Sequence, residues 1–271
     1  MSTPETSRRL GTMPVYLTTI SAILGAILFL RLGYATGALG FFGVIIIIIL
    51  GHLITIPTAL AISEIATNKR VEGGGAYFMI SRSFGLKIGS AIGITLFIAQ
   101  AISVAFYTIA FAESFQFAFD WCNSTFGINL PKHIISIPSL IGFTWLILKQ
   151  GTGSGMKMLY IVNLILLLSL VCFFIGAPIA EVDPATAANN FGFFNKNQFF
   201  IIFAICFPAF TGVTAGVGLS GDLSNPRKAI PVGTLAATLT GLLIYLFVAW
   251  KLVISAPQAD LIADQFIMNR I

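Results

Sequence analysis

Seven apolar windows constrain this chain more than anything else in it: residues 13–36, 38–63, 86–118, 133–149, 157–179, 198–219 and 230–254. A helix needs about 20 apolar residues to cross the hydrocarbon core of a bilayer, and these windows read as seven such crossings. With 57% hydrophobic and 9% charged residues and a mean hydropathy of +0.94, the chain reads as a polytopic membrane protein. A soluble domain of that composition would aggregate. The first window is no removable signal peptide, because it is long, carries Arg31 near its end and lacks a small-residue cleavage pattern. Residues 1–12 read as a short cytoplasmic tail.

Lysine and arginine favour the cytoplasmic side of short loops. An inside amino terminus places Arg8, Arg9, Lys69, Arg70, Arg82, Lys87, Lys149, Lys157, Arg227 and Lys228 inside. It leaves Lys132, Lys196, Lys251 and Arg270 outside, with Arg31 at the outer end of the first span. The same bias accounts for the net charge of +5, so no nucleic-acid partner is expected.

Two spans are interrupted. The first has Gly25 near its middle, and the sixth, within FPAFTGVTAGVGLSGDLSNPRKAIP at 207–231, has Pro208, Gly212, Gly216 and Gly218. Lipid offers no water to loose backbone groups, so such breaks persist only when buried in protein or lining a polar cavity. Interruptions in the first and sixth spans are the mark of a five-plus-five inverted repeat with a solute site near the midplane. The plainer reading is close helix packing, which Gly216, four residues after Gly212, supplies as a GxxxG contact; Pro208, the Thr211 hydroxyl and the matching break in span one favour broken helices. The amino ends of half-helices suit an anion, while their carboxyl ends and unwound carbonyls suit a cation. No acidic residue sits mid-membrane beside either break. Potassium suits carbonyl and hydroxyl oxygens, and chloride suits amides.

Four segments carry a resemblance in the right order and spacing. They are ILGAILFLRLG at 23–33, SEIATNKRVEGGGAYFMISRSFG at 63–85, SVAFYTIAFAE at 103–113 and FPAFTGVTAGVGLSGDLSNPRKAIPVGT at 207–234. Together they resemble the cation-chloride cotransporters, of the Na-K-Cl and K-Cl types, within the amino acid, polyamine and organocation superfamily. The resemblance implies an all-α membrane protein of the LeuT-type inverted-repeat fold, incomplete here: 13–180 would form the first repeat and 181–271 the start of the second. It implies a potassium site from the carbonyls of Ala22, Ile23 and Pro208 and the hydroxyls of Tyr107 and Thr211. Chloride would meet amides at Gly25, Ala26 and Ile27 and at Gly212, Val213 and Thr214. Part of a sodium site would lie at Ser21 and Leu24, leaving sodium coupling open because the eighth span is absent.

Arg31 and Glu113 resemble the family's outer gate pair. Arg31 lies six residues beyond Gly25 and Glu113 six beyond Tyr107, each about 9 Å outward at 1.5 Å per helical residue. Glu64 departs from the pattern: the cotransporters carry a small residue there, whereas amino acid permeases of the superfamily often have glutamate. It also reads as an interface charge beside Lys69 and Arg70. An amino acid permease is therefore the alternative, with a truncated non-transporting subunit a further one.

The remaining signals are bland. GTGSGMK at 151–157 lacks Walker spacing and reads as a flexible cytoplasmic turn. Asn123 opens a sequon, Cys122, Cys172 and Cys206 form no framework, and His52 and His133 have no partner clusters. No catalytic residue, cofactor or resident metal is assigned, so an enzyme is not expected. The expected partners are the lipid bilayer, small inorganic ions and a second copy of the chain as a homodimer, in a cell membrane with the amino terminus cytoplasmic. The expected cargo is K+ and Cl−, with Na+ open.

Overall fold

The computed structural model describes residues 10–68, 74–179 and 190–271, and of 150–154 the backbone alone. In chain order the helices are α1 (Thr12–Ile23), α2 (Ala26–Asn68), α3 (Gly75–Phe84), α4 (Leu86–Glu113), α5 (Gln116–Phe126), α6 (His133–Ile175), α7 (Phe199–Cys206), α8 (Pro226–Ser255), α9 (Gln258–Ala263) and α10 (Ile267–Arg270). Three 3-10 segments cover Lys196–Gln198, Phe207–Phe210 and Gly212–Asp222. Among the described residues the only strand-like pairing is an isolated parallel bridge between Leu10 and Leu223. The all-α membrane architecture expected from the sequence is the one observed, with spans one and six both broken.

Helical stretches long and apolar enough to cross a membrane are Thr12–Asn68, Leu86–Glu113, Gly155–Ile175, Lys196–Asp222 and Pro226–Ser255, with a shorter apolar one at His133–Lys149. Thr12–Asn68 holds the first two expected spans. They part at Gly40, whose φ of 77° is one that glycine adopts without a Cβ penalty. A helix end leaves its last carbonyls without intrahelical partners. Here they are met from distant segments: Gln258 Nε2 donates to the Gly37 carbonyl at 2.9 Å, Asn195 Nδ2 to Ala38 at 3.0 Å, and the Phe194 amide to Leu39 at 2.9 Å.

The chain forms two compact units, one comprising residues up to Met79 with Ile161–Ile271, the other Ile80–Tyr160. In the first, α8 lays a stripe of small residues against α1. A Cβ on Gly233 would fall 2.8 Å from the Val15 Cβ, and one on Gly241 2.7 Å from the Ile23 Cγ2. Such stripes let helix backbones approach closely, which is how helices associate when lipid removes the hydrophobic drive between them. Ile23, Leu24, Leu28, Leu32, Phe210, Tyr245 and Leu252 fill the resulting core. The Leu10 amide donates to the Asp222 carbonyl and the Ser224 amide to the Leu10 carbonyl, tying the start of α1 to the end of span six.

The second unit is built on α4, α5 and the first part of α6. Its helix surfaces are largely bare, with only 6% of the most apolar window of α4 buried in the protein. Gly127, at φ 65°, ends α5 in the left-handed conformation, its amide donating to the Asn123 carbonyl at 2.9 Å. The sequon asparagine is thus an exposed residue in the last turn of a helix.

One expectation fails. GTGSGMK at 151–157 is not a turn, because the backbone stays helical through His133–Ile175. Each glycine costs a helix interior about 1 kcal/mol relative to alanine. Between long apolar segments, helix propagation is cooperative, and after Pro138 the segment has no proline to stop it.

Candidate ion site at two helix breaks

The first break is short. The Leu24 amide closes α1 by donating to the Ile20 carbonyl at 2.8 Å, Leu24 then leaves helical geometry at φ −87°, ψ 44°, and α2 starts at Ala26. Ala22 and Ile23 therefore stand at a helix carboxyl end, and Ala26 and Ile27 at the amino end of the next. A carboxyl end carries partial negative charge and an amino end partial positive charge. Helix ends of opposite partial charge are consequently separated by only two residues of chain. Ile23, Leu24 and Ile27 are buried, whereas Ser21, Ala22, Gly25 and Ala26 are partly exposed. The Ser21 hydroxyl donates to the Thr18 carbonyl at 3.1 Å.

The second break is long. Span six is α-helical only to Cys206, then passes through 3-10 turns at Phe207–Phe210 and Gly212–Asp222, with Thr211 between them. Runs of 3-10 helix beyond three or four residues are uncommon, and within a helix they often mark a hinge or a sequence under strain. Pro208 enters at the start of the first turn, where its missing amide and fixed φ do least harm. Its carbonyl accepts from the Thr211 hydroxyl at 2.8 Å and more weakly from the Thr211 amide at 3.3 Å. Two expected potassium donors are thus bonded to each other. Pro208, Thr211 and Thr214 are exposed, Gly212 is partly exposed and Val213 is buried.

Gly212 brings the breaks together. A Cβ on it would fall 2.8 Å from the Ile23 amide nitrogen and 2.9 Å from the Ala22 carbonyl carbon. One on Gly216 would collide with the Thr19 hydroxyl and lie 2.7 Å from the Val15 carbonyl. The glycine pair therefore does pack span six against α1, as the plainer sequence reading has it. That packing is also what seats Gly212 on the break in span one.

Sequence reasoning missed Tyr245 and Phe210, which frame this junction. Tyr245 of α8, 1% exposed, donates its hydroxyl to the Ile23 carbonyl at 2.9 Å. Its ring meets Phe210 edge-on, centroids 4.9 Å apart, and Phe210 in turn packs on Gly51 and the His52 ring. His52 is buried and its Nδ1 donates to the Ile48 carbonyl at 2.8 Å, which agrees with a packing role. The signal for Tyr245 was available: a tyrosine one turn after Gly241 on a stripe of small residues is buried, and its hydroxyl then requires a partner.

Tyr107 and Glu113 belong to the second unit. Tyr107 stands half-exposed on α4, stacked edge-on with Phe106 and lining an apolar cavity with Val104, Phe111, Leu140 and Phe143. Glu113 lies 3.7 Å from the Lys132 ammonium. In the first unit, an Arg31 guanidinium nitrogen donates to the Leu30 carbonyl at 3.2 Å. Glu64 is exposed near the end of α2, and Lys69 and Arg70, its expected neighbours, lie outside the described residues. Among the described residues no group of three His, Cys, Asp or Glu is placed to hold a metal ion.

A family model described as amino acid permease matches residues 15–268. The chain belongs to the amino acid permease family. Within it, the chain is 37% identical to human solute carrier family 12 member 2 over 243 residues, covering 84% of this chain and 20% of that protein. Rabbit solute carrier family 12 member 1 is 38% identical over 245 residues, 84% of this chain and 22% of that protein. These relatives bear out the resemblance to the cation-chloride cotransporters, and the family model bears out the LeuT-type fold. The chain is a multi-pass membrane protein of a permease family and not an enzyme. It spans about a fifth of the length of the curated relatives it matches.

Proposed function

We propose that this chain carries the ion-handling half-site of a symporter that couples potassium to chloride, electroneutrally and by alternating access. The observation that supports it is the seating of Gly212 on the Ala22–Ile23 backbone, which sets a helix carboxyl end, a helix amino end and a 3-10 segment side by side. Uncharged carbonyls and amides arranged so can take both signs of ion without a buried formal charge. Potassium would be held by the carbonyls of Ala22, Ile23 and Pro208 and by the Thr211 hydroxyl. Tyr107 is assigned to it by resemblance alone. Chloride would meet the amides at Gly25, Ala26 and Ile27 and at Gly212, Val213 and Thr214. Ser21 and Leu24 would contribute to sodium, and Arg31 with Glu113 would form an outer gate. The expected setting is the plasma membrane, amino terminus cytoplasmic.

The test is uptake by vesicles holding the complete gene product. Chloride-dependent rubidium uptake should exceed amino acid uptake. A second reading, an amino acid permease, is favoured by the description of the matching family model and by Glu64, and chloride-independent uptake of arginine or alanine would establish it. Changing Tyr107 to Phe should raise the apparent KM for rubidium about fivefold, the weight of one neutral hydrogen bond. An unchanged KM removes Tyr107 from the site.

A further inference from the structure

Ile23 is the last residue of α1, and its carbonyl would ordinarily accept from an amide four residues on. That amide belongs to Ile27, already inside α2. The carbonyl is instead met from 222 residues away, by the Tyr245 hydroxyl at 2.9 Å. Reach is supplied by Gly241, one turn earlier on α8, where any side chain would strike Ile23. The ring is fixed as well, buried to 1% exposure and set edge-on against Phe210. Phe210 falls between Pro208 and Thr211, so one side chain touches both breaks.

We propose that Tyr245 is a positioning residue for the cation site, its phenol holding the Ile23 carbonyl and its ring edge holding the Phe207–Phe210 turn. The inference rests on the potassium reading above. A carbonyl oxygen has two lone pairs. The phenol takes one and polarises the oxygen, and hydrogen bonds in a low-dielectric interior strengthen one another in this way. The second lone pair is left for an alkali cation that has shed water. Without the phenol, the end of α1 keeps its packing but loses the bond that aims this oxygen. The hydroxyl should therefore be felt mainly in cation affinity.

Tyr245→Phe keeps the ring and its Phe210 contact and deletes only the hydroxyl. In vesicles holding the complete gene product, the apparent KM for rubidium should rise about fivefold, one neutral hydrogen bond of about 1 kcal/mol at 1.4 kcal/mol per tenfold. Maximal rate should stay within about twofold, the split expected when ground-state binding is what is lost. A second readout on purified protein is the rubidium chloride concentration giving half the maximal rise in Tm, with choline chloride as control. It should move by the same factor, and it serves if the variant reaches the membrane poorly. An unchanged rubidium dependence in both measurements overturns the role of Tyr245, as does a fall in maximal rate alone. Absence of any rubidium dependence in the wild type overturns the potassium reading itself, and is seen before the variant is made.

Discussion

The two breaks interrupt the membrane in different ways. In span one the backbone leaves the helix for two residues, Leu24 and Gly25, and the flanking side chains Ile23, Leu24, Ile27 and Leu28 are all buried. In span six the α-helix gives way to 3-10 geometry from Phe207 to Asp222, with Pro208, Thr211, Thr214 and Gly218 exposed. The first break exposes orphan carbonyls and amides abruptly, and packing must close around them. The second keeps tighter local bonds, such as the Thr211 hydroxyl on the Pro208 carbonyl, and presents its polar atoms on an open face. The first break is held by its surroundings alone; the second adds bonds within its own chain to the packing of Phe210, Gly212 and Gly216.

That contrast can be broken at Gly212, where the two meet. Gly212→Val forces a branched side chain into backbone atoms that cannot swing aside, and overpacking of this kind should cost about 3 kcal/mol or more. Membrane expression and the Tm of the purified protein should fall sharply; a near-normal Tm would show that the breaks are not seated on each other. Thr211→Val should act differently. Its hydroxyl is exposed, so Tm should hold, while the apparent KM for rubidium should rise about fivefold for one lost polar interaction. A drop in Tm without a change in KM would make Thr211 a structural cap of the turn instead. Gly218→Ala should do least, since a Cβ there meets open space, and stability should stay within about 0.5 kcal/mol. A larger loss would mean that this face of span six is covered in the working protein.

Much of this was legible beforehand because it is local. Gly25 and the cluster Pro208, Gly212, Gly216 and Gly218 mark breaks through their own backbone preferences, and the α-helix does end at Ile23 and at Cys206. Gly212 and Gly216 also announced a packing contact by their spacing, and both do face α1. The GTGSGMK segment shows where local reading misleads. Its glycines weaken a helix without forbidding one, and with apolar helix on both sides the backbone continues through.

The sequence by itself determined that this chain is built of membrane-grade apolar helices and which two of them break, since hydropathy and backbone preference belong to each residue alone. The tertiary structure decided what becomes of the groups those breaks set free. Tyr245 at the Ile23 carbonyl, and Gln258, Asn195 and Phe194 at the carbonyls before Gly40, come from segments more than a hundred residues away. A hydrogen bond needs a partner within about 3 Å, and only folding decides which distant residue arrives there.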